Sequence, residues 1–218
     1  MTLVNKTNYD IEHFHNSTQV VVEKKKSKLR RTAHLKKALE YVTIDGVILE
    51  FGVFQGNTIT VIANKFPNDK IHGFDSFEGL PEKWRDGFGK GAFNRNGNLP
   101  NVNNNVELIK GWFDDTLPNF IKNQNKKVSF IHMDADLYSS TKCIFNNLKD
   151  YIDKDCIIVF DELVNYPGFD GNTGELKAFY EFITENKVDY EWIGMNGKPT
   201  GMRGYCHENV ALIIHSIN

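Results

Sequence analysis

Two neighbourhoods hold most of the side chains that could do chemistry, and the first is acidic. Asp134 and Asp136 lie in Met133-Asp-Ala-Asp-Leu-Tyr138, and Asp161-Glu162 follow Phe160. Each group closes an apolar run that reads as a strand. Adjacent parallel strands would therefore bring Asp134, Asp161 and Glu162 to one edge of a sheet. Carboxylates crowded in this way raise one another's pKa unless a cation neutralises them. An all-oxygen donor set suits Mg²⁺, Mn²⁺ or Ca²⁺ better than a thiophilic metal. Asp134, Asp161 and Glu162 are accordingly the candidate metal ligands, with Mg²⁺ (or Mn²⁺) expected. Such an ion would help an acceptor hydroxyl lose its proton and would fix it in place. A base must take that proton, and Asp134 and Asp136 are the candidate catalytic residues. His132 sits within the strand and reads as structural.

The second neighbourhood is a glycine turn. Glu50-Phe-Gly-Val-Phe-Gln-Gly56 follows an apolar strand and opens a helix. Gly52 allows a tight turn and a close approach of backbone to a ligand. The helix start beyond Gly56 offers free N–H groups, with Asn57 and Thr58 as expected N-caps. Asp75, at the end of the next strand, can accept hydrogen bonds from ribose hydroxyls. Dinucleotide enzymes use G-x-G-x-x-G to admit a pyrophosphate, and that spacing is absent. A carboxylate at Glu50 would oppose a phosphate but suit the cationic amino group of S-adenosylmethionine (SAM). Charge thus favours SAM over a nicotinamide dinucleotide.

These residues need a scaffold, and the hydrophobic periodicity supplies one. Short apolar runs at 47–51, 70–74, 106–109, 128–133 and 156–160 alternate with helical patterns near 58–65, 116–123, 139–148 and 174–185. The fold expected is α/β, a Rossmann-like, mostly parallel seven-stranded sheet with helices on both faces. Runs at 190–193 and 210–214 have no helix between them, so an antiparallel unit is expected at one edge. Residues 1–218 read as one domain, with a helical extension over 1–45. Residues 78–105 form a polar insertion with seven asparagines between Asn94 and Asn105. Its place after a strand's C-terminal end marks it as a lid over the ligand crevice.

Composition narrows the partners. Formal net charge is −2, with 26 basic and 28 acidic side chains, so neither nucleic acid nor an anionic membrane is expected. No apolar stretch approaches the roughly 20 residues that span a bilayer. The three cysteines are scattered and form no C-x-x-C pair, which favours a reducing cytoplasm. The basic helix near residues 28–42 and the edge strands could mediate a homodimer.

Five segments resemble one known family. They are Glu50 to Gly56, Asp75-Ser-Phe-Glu-Gly-Leu-Pro81, Gly111-Trp-Phe-Asp-Asp-Thr-Leu-Pro118, Asp134-Ala-Asp-Leu-Tyr-Ser-Ser-Thr141 and Asp161-Glu162. Together they look like the successive motifs of the macrocin O-methyltransferase family, class I SAM-dependent methyltransferases. The resemblance implies that Glu50, Gly52 and Gly56, with Val53 and Thr58 in the same turn, surround the methionine part of SAM. It implies that Asp75 meets the ribose beside Ser76 and Phe77, and that Gly111, Trp112 and Phe113 lie near the adenine. Asp134 would stand between SAM and the Mg²⁺ that it holds with Asp161 and Glu162. Glu162 stands where the family often has aspartate, and Gln55 where it usually has arginine. Leu137 takes the position of the basic lysine of catechol O-methyltransferase.

The expectation is a SAM-dependent, metal-dependent O-methyltransferase acting on a small hydroxylated acceptor such as a sugar. A nicotinamide-dependent oxidoreductase and a non-catalytic SAM-binding module are the rivals. The segment 194–207, with Lys198, Arg203, Tyr205 and His207, is either part of the acceptor pocket or a polar loop.

Overall fold

The computed structural model describes residues 24–196 and 208–218, together with Phe14, Asn16, Thr18 and Val22. Lys198, Arg203, Tyr205 and His207, and the first part of the N-terminal extension, lie outside the described residues.

Seven strands form one sheet: β1 (Val47–Phe51), β2 (Ile71–Asp75), β3 (Val106–Lys110), β4 (Val128–Met133), β5 (Ile152–Phe160), β6 (Asp189–Met195) and β7 (Val210–Ser216). Their order is β3-β2-β1-β4-β5-β7-β6. Pairings from β3 through β5 are parallel, whereas β7 runs antiparallel to both β5 and β6. The antiparallel unit therefore closes one edge, with the reversed strand one place in from it. Strand order reverses between β1 and β4, the switch point at which open α/β sheets bind ligands.

Helices lie on both faces, among them α1 (Arg31–Ala38), α2 (Asn57–Lys65), α3 (Phe113–Lys122), α4 (Tyr138–Leu148) and α5 (Gly174–Glu185). A short 3₁₀ turn over Leu39–Tyr41 extends α1. Alternation along each strand decides which face a side chain feeds. Leu49, Phe51, Ile131, Met133, Ile158 and Phe160 pack toward α3, α4 and α5. Ile48, Phe130, Ile157 and Val159 pack under α1 and α2. On that second face the same alternation places polar residues nearer the C-terminal strand ends. Glu50 and His132 are cross-strand partners there, and Asp161 and Asn209 continue the row; all four are buried.

Two expected boundaries move for physical reasons. The N-cap of α2 is Gly56, not Asn57 or Thr58; its φ of 82° is a left-handed value that glycine adopts cheaply. The third helix begins at Phe113, three residues before Thr116, because Asp114 and Asp115 in the first turn complement the helix dipole. No described helix is long and apolar enough to cross a membrane.

The insertion 78–105 is folded rather than structureless. Around its tip the Leu80 N–H donates to the Ala92 carbonyl, and the Leu80 carbonyl accepts from the Gly91 N–H. Phe88 and Phe93 stack at 5.3 Å, and Phe93 meets Phe54 of the glycine turn edge-on at 5.7 Å. Its asparagines act as local fasteners. Asn105 donates to the carbonyls of Ala63, Phe66 and Asp69 at the end of α2.

Candidate active site

A cavity of about 620 Å³ opens at the C-terminal ends of β1, β2 and β4. Gly52 shows why the chain turns there. Its φ is 88°, and a Cβ would lie 1.8 Å from the carbonyl oxygen of Asp134. Only glycine lets the ends of β1 and β4 approach so closely. Along one wall lie Gly52, Asp75, Ser76, Gly111, Trp112 and Phe113; along the other lie Asp134, Asp136 and Glu162. The insertion contributes Gly79, Leu80, Pro81, Glu82 and Phe93 to the rim.

On the first wall the protein satisfies its own acid. Asp75 accepts backbone N–H bonds from Val53 and Phe54 on one oxygen and from Phe77 on the other, at 2.9, 2.8 and 2.7 Å. This clamp holds Phe54 and Phe77 at positive φ, 45° and 57°. Such backbone persists only where surroundings over-determine it, and it clusters at functional sites. Of the residues expected near a cofactor, Glu50, Val53, Gly56, Thr58 and Phe77 stand behind the cavity surface rather than on it. Glu50 is fully buried. Its Oε1 accepts from the Thr58 hydroxyl and pairs with His132 Nδ1, while Oε2 makes no hydrogen bond to a described residue.

The second wall has more acid than counter-charge. Carboxylate oxygens of Asp134, Asp136 and Glu162 lie within 4.8 Å of one another. Asp136 is only 7% exposed, adopts φ 58°, and makes no hydrogen bond to a described residue. Glu162 Oε2 is likewise buried and unbonded. Burial and the neighbouring carboxylates hold Asp136 and Glu162 well above the usual carboxylate range. Burial also raises Asp134, Asp161 adding to it and Arg31 opposing it.

Asp161 faces another way. Its carboxylate, with no side-chain exposure, ion-pairs with Arg31, accepts from Asn209 Nδ2 at 3.1 Å and stands 3.8 Å from His132 Nε2. Burial would raise its pKa, but the Arg31 guanidinium and His132 outweigh that and hold it low. For His132, burial would lower the pKa; the neighbouring carboxylates of Asp161 and Glu50 prevail and push it up to about 10. His132 is thus a buried imidazolium between the acid of the glycine turn and the acid after β5. The oxygens that converge on the cavity are those of Asp134, Asp136 and Glu162, and Asp161 lies beside them under Arg31.

Several contributors carried no signal in the sequence. Arg31 and His34 come from α1, which read only as a basic helix; Arg31 pairs with Asp161 directly, and His34 Nδ1 bonds Oδ1 of the Asn209 that donates to Asp161. Glu175, buried at the start of α5, accepts from the backbone N–H of Ala135 at 3.1 Å and so braces the Asp134–Asp136 turn. Its burial holds it well above the ordinary carboxylate range. Ser139, Ser140 and Cys143 line the cavity from α4, and Ser139 joins the insertion by a 2.5 Å hydrogen bond to Glu82. The only available cue was that their helix follows the acidic motif directly.

Comparison with known proteins agrees with this geometry. A family model described as a methyltransferase domain matches residues 49–163, which hold the glycine turn, the clamp acid and all four clustered acids. Demethyldecarbamoylnovobiocin O-methyltransferase of Streptomyces niveus is 23% identical over 183 residues, 72% of this chain and 69% of that protein. The 8-demethyl-8-(2,3-dimethoxy-α-L-rhamnosyl)-tetracenomycin-C 4′-O-methyltransferase of Streptomyces olivaceus is 26% identical over 163 residues, 62% of this chain and 60% of that protein. Among solved structures, the calicheamicin methyltransferase CalS11 superposes with a TM-score of 0.61 at 21% identity, covering 85% of this chain and 80% of its own. That likeness shows the fold, a Rossmann-like methyltransferase sheet.

Proposed function

Because this chain belongs to the methyltransferase-domain family, we propose that it is a SAM-dependent O-methyltransferase of the macrocin type, acting with a divalent cation on a hydroxyl of a small glycosylated acceptor. The observation that carries the reading is one continuous cavity whose two walls differ in chemistry. One wall is preorganised around Asp75, and the other is a set of buried acids with too little counter-charge.

On the first wall, the clamped Asp75 keeps lone pairs free for ribose hydroxyls. Phe113, fixed edge-on against Phe51 at 5.5 Å, and Trp112 offer aromatic surface to the adenine. Glu50 supplies negative charge beneath the turn for the cationic amino group of the cofactor. Gly52 lines the cavity where the ends of β1 and β4 close on each other.

On the second wall, the residues fit a divalent cation. Three carboxylates converge, a buried Glu162 oxygen lacks a partner, and Asp136 makes no hydrogen bond to a described residue. Asp134 and Glu162, with Asp136 adjacent, would hold it. A bound Mg²⁺ would lower the pKa of a coordinated hydroxyl and neutralise its developing charge. Asp136 is the base in this scheme. It lines the cavity beside Asp134 and Glu162, where it can accept the acceptor's proton. Glu175 keeps that turn in place. The rim of the insertion and Ser139–Glu82 close over the acceptor and exclude water.

The two Streptomyces relatives are named for O-methylation of demethyldecarbamoylnovobiocin and of a rhamnosyl-bearing tetracenomycin C, and this points the acceptor class toward glycosylated natural products. The nicotinamide reading gains nothing, since the turn holds Gly52 and Gly56 without the third glycine of a pyrophosphate loop. The test is transfer of a labelled methyl from SAM to a panel of deoxysugar and phenolic glycosides, with Mg²⁺ and with a chelator. Label on an acceptor oxygen, lost on chelation, is the expected result. Labelling that is indifferent to chelation would remove the cation, and no labelling together with no binding of S-adenosylhomocysteine (SAH) would remove the methyltransferase reading.

A further inference from the structure

We propose that Arg31 is a built-in rival cation: it holds Asp134 and Asp161 in the absence of metal, keeps Asp161 out of the ligand set, and thereby sets the site's affinity for a divalent ion. This rests on the cation reading above and goes beyond it by naming the residue that governs occupancy.

Geometry supplies the argument. One guanidinium nitrogen, Nη2, serves both acids. It donates to Asp134 Oδ2 at 3.1 Å and ion-pairs with Asp161 Oδ2. No two-nitrogen fork forms on either carboxylate, and Nε is buried without a hydrogen bond to a described residue. The forked arrangement is what makes an arginine–carboxylate pair rigid and strong. An arginine held through one nitrogen, with its side chain 35% exposed on the cavity wall, is tethered but displaceable.

The place of Arg31 is otherwise unfavourable. It is the first residue of α1, whose first turn carries no acidic residue. A cation there opposes the positive end of the helix dipole. The pair of acids compensates for it, and the same pair flanks the oxygens a divalent ion would use. Arg31 and a divalent ion therefore compete for the same negative charge. When the ion binds, Arg31 must leave Asp134, and Asp161, released on that side, can turn toward Asp134 and Glu162. His34 and Asn209 still hold Asp161 from the α1 and β7 side, so the helix stays docked while the arginine swings.

The experiment measures Mn²⁺ binding to the metal-stripped full chain by the electron paramagnetic resonance of free Mn²⁺, at pH 8, without acceptor or turnover. Wild type, Arg31→Gln, Arg31→Lys and the double variant Arg31→Gln/Asp161→Asn are compared, with SAH binding as the check that each is folded. Arg31→Gln is expected to tighten Mn²⁺ by about tenfold or more, a change of ~1.4 kcal/mol or more. Arg31→Lys, which keeps the charge, should stay within about threefold of wild type, a difference of ~0.7 kcal/mol. The double variant should lose the gain, because the gain comes from freeing Asp161. Unchanged or weaker binding in Arg31→Gln overturns the inference and leaves the cation reading standing. Absence of binding in wild type and Arg31→Gln alike removes both.

Discussion

At the glycine-turn end of the cavity, Asp75 accepts from three backbone donors, and Glu50 is held by Thr58 and His132. At the β4–β5 end, Asp136 has no hydrogen-bonding partner among described residues, and Glu162 keeps a buried oxygen unbonded. The same sheet builds both ends from the same residue types. The difference is what each end waits for. A nearly complete hydrogen-bond network receives a ligand by shape and by a few remaining lone pairs. An incomplete one stores unfavourable charge that a cation and an acceptor proton would relieve. His132 ties the two together, since one imidazole faces the acid of each end.

The sharpest way to separate the ends is Asp136→Asn. Turnover should fall by about 10²–10⁴-fold, the usual contribution of a positioned base, while SAH affinity, measured by calorimetry, stays close to wild type. An equal loss in both would mean that the ends are not separable. His132→Gln attacks the tie itself. It leaves Glu50 and Asp161 buried without the imidazolium, and breaking a buried pair costs about 3–5 kcal/mol. Urea unfolding should report a loss of that size, accompanied by weaker SAH binding.

A pH series of melting temperatures compares the ends without mutation. The His132 pKa is raised to about 10, so its stabilising contribution is complete below about pH 6.5 and is lost as pH rises through 10. Asp134, Asp136, Glu162 and Glu175 are also raised, and groups with raised pKa lose their contribution in the same direction. Asp161 is lowered, and its contribution is already complete in this range. Stability of the metal-free protein should therefore fall from pH 6.5 to 10, and Mg²⁺ should flatten the fall. The smallest effect belongs to Ser139→Ala, which removes the link to Glu82 on the insertion. A few-fold rise in the acceptor KM with SAH affinity unchanged is expected, about 0.5–1.5 kcal/mol for one hydrogen bond.

Much of this was legible in the sequence because local pattern decides it. Apolar runs fixed the five parallel strands from β1 to β5, and His132 read as structural within its strand. Gly52 was expected to bring backbone close to a ligand, and what its missing Cβ admits is the carbonyl of Asp134. The expected ligand trio named Asp134, Asp161 and Glu162, whereas the oxygens facing one another are those of Asp134, Asp136 and Glu162. Sequence spacing gives the strand end that an acid occupies but not the partner that captures it. Arg31 does so from 130 residues away, and Glu175 braces the turn from 40 residues away. Such long-range partners leave no periodic trace, so Arg31 looked like one more member of a basic run.

The most direct test is calorimetric titration of the metal-stripped protein with SAH and then with Mg²⁺. Two separate binding events are predicted: a micromolar one that Asp136→Asn preserves, and a second for the cation that Asp134→Ala abolishes. Failure to bind SAH would contradict the account at its centre, and SAH binding with no second event would confine the protein's chemistry to the glycine-turn end.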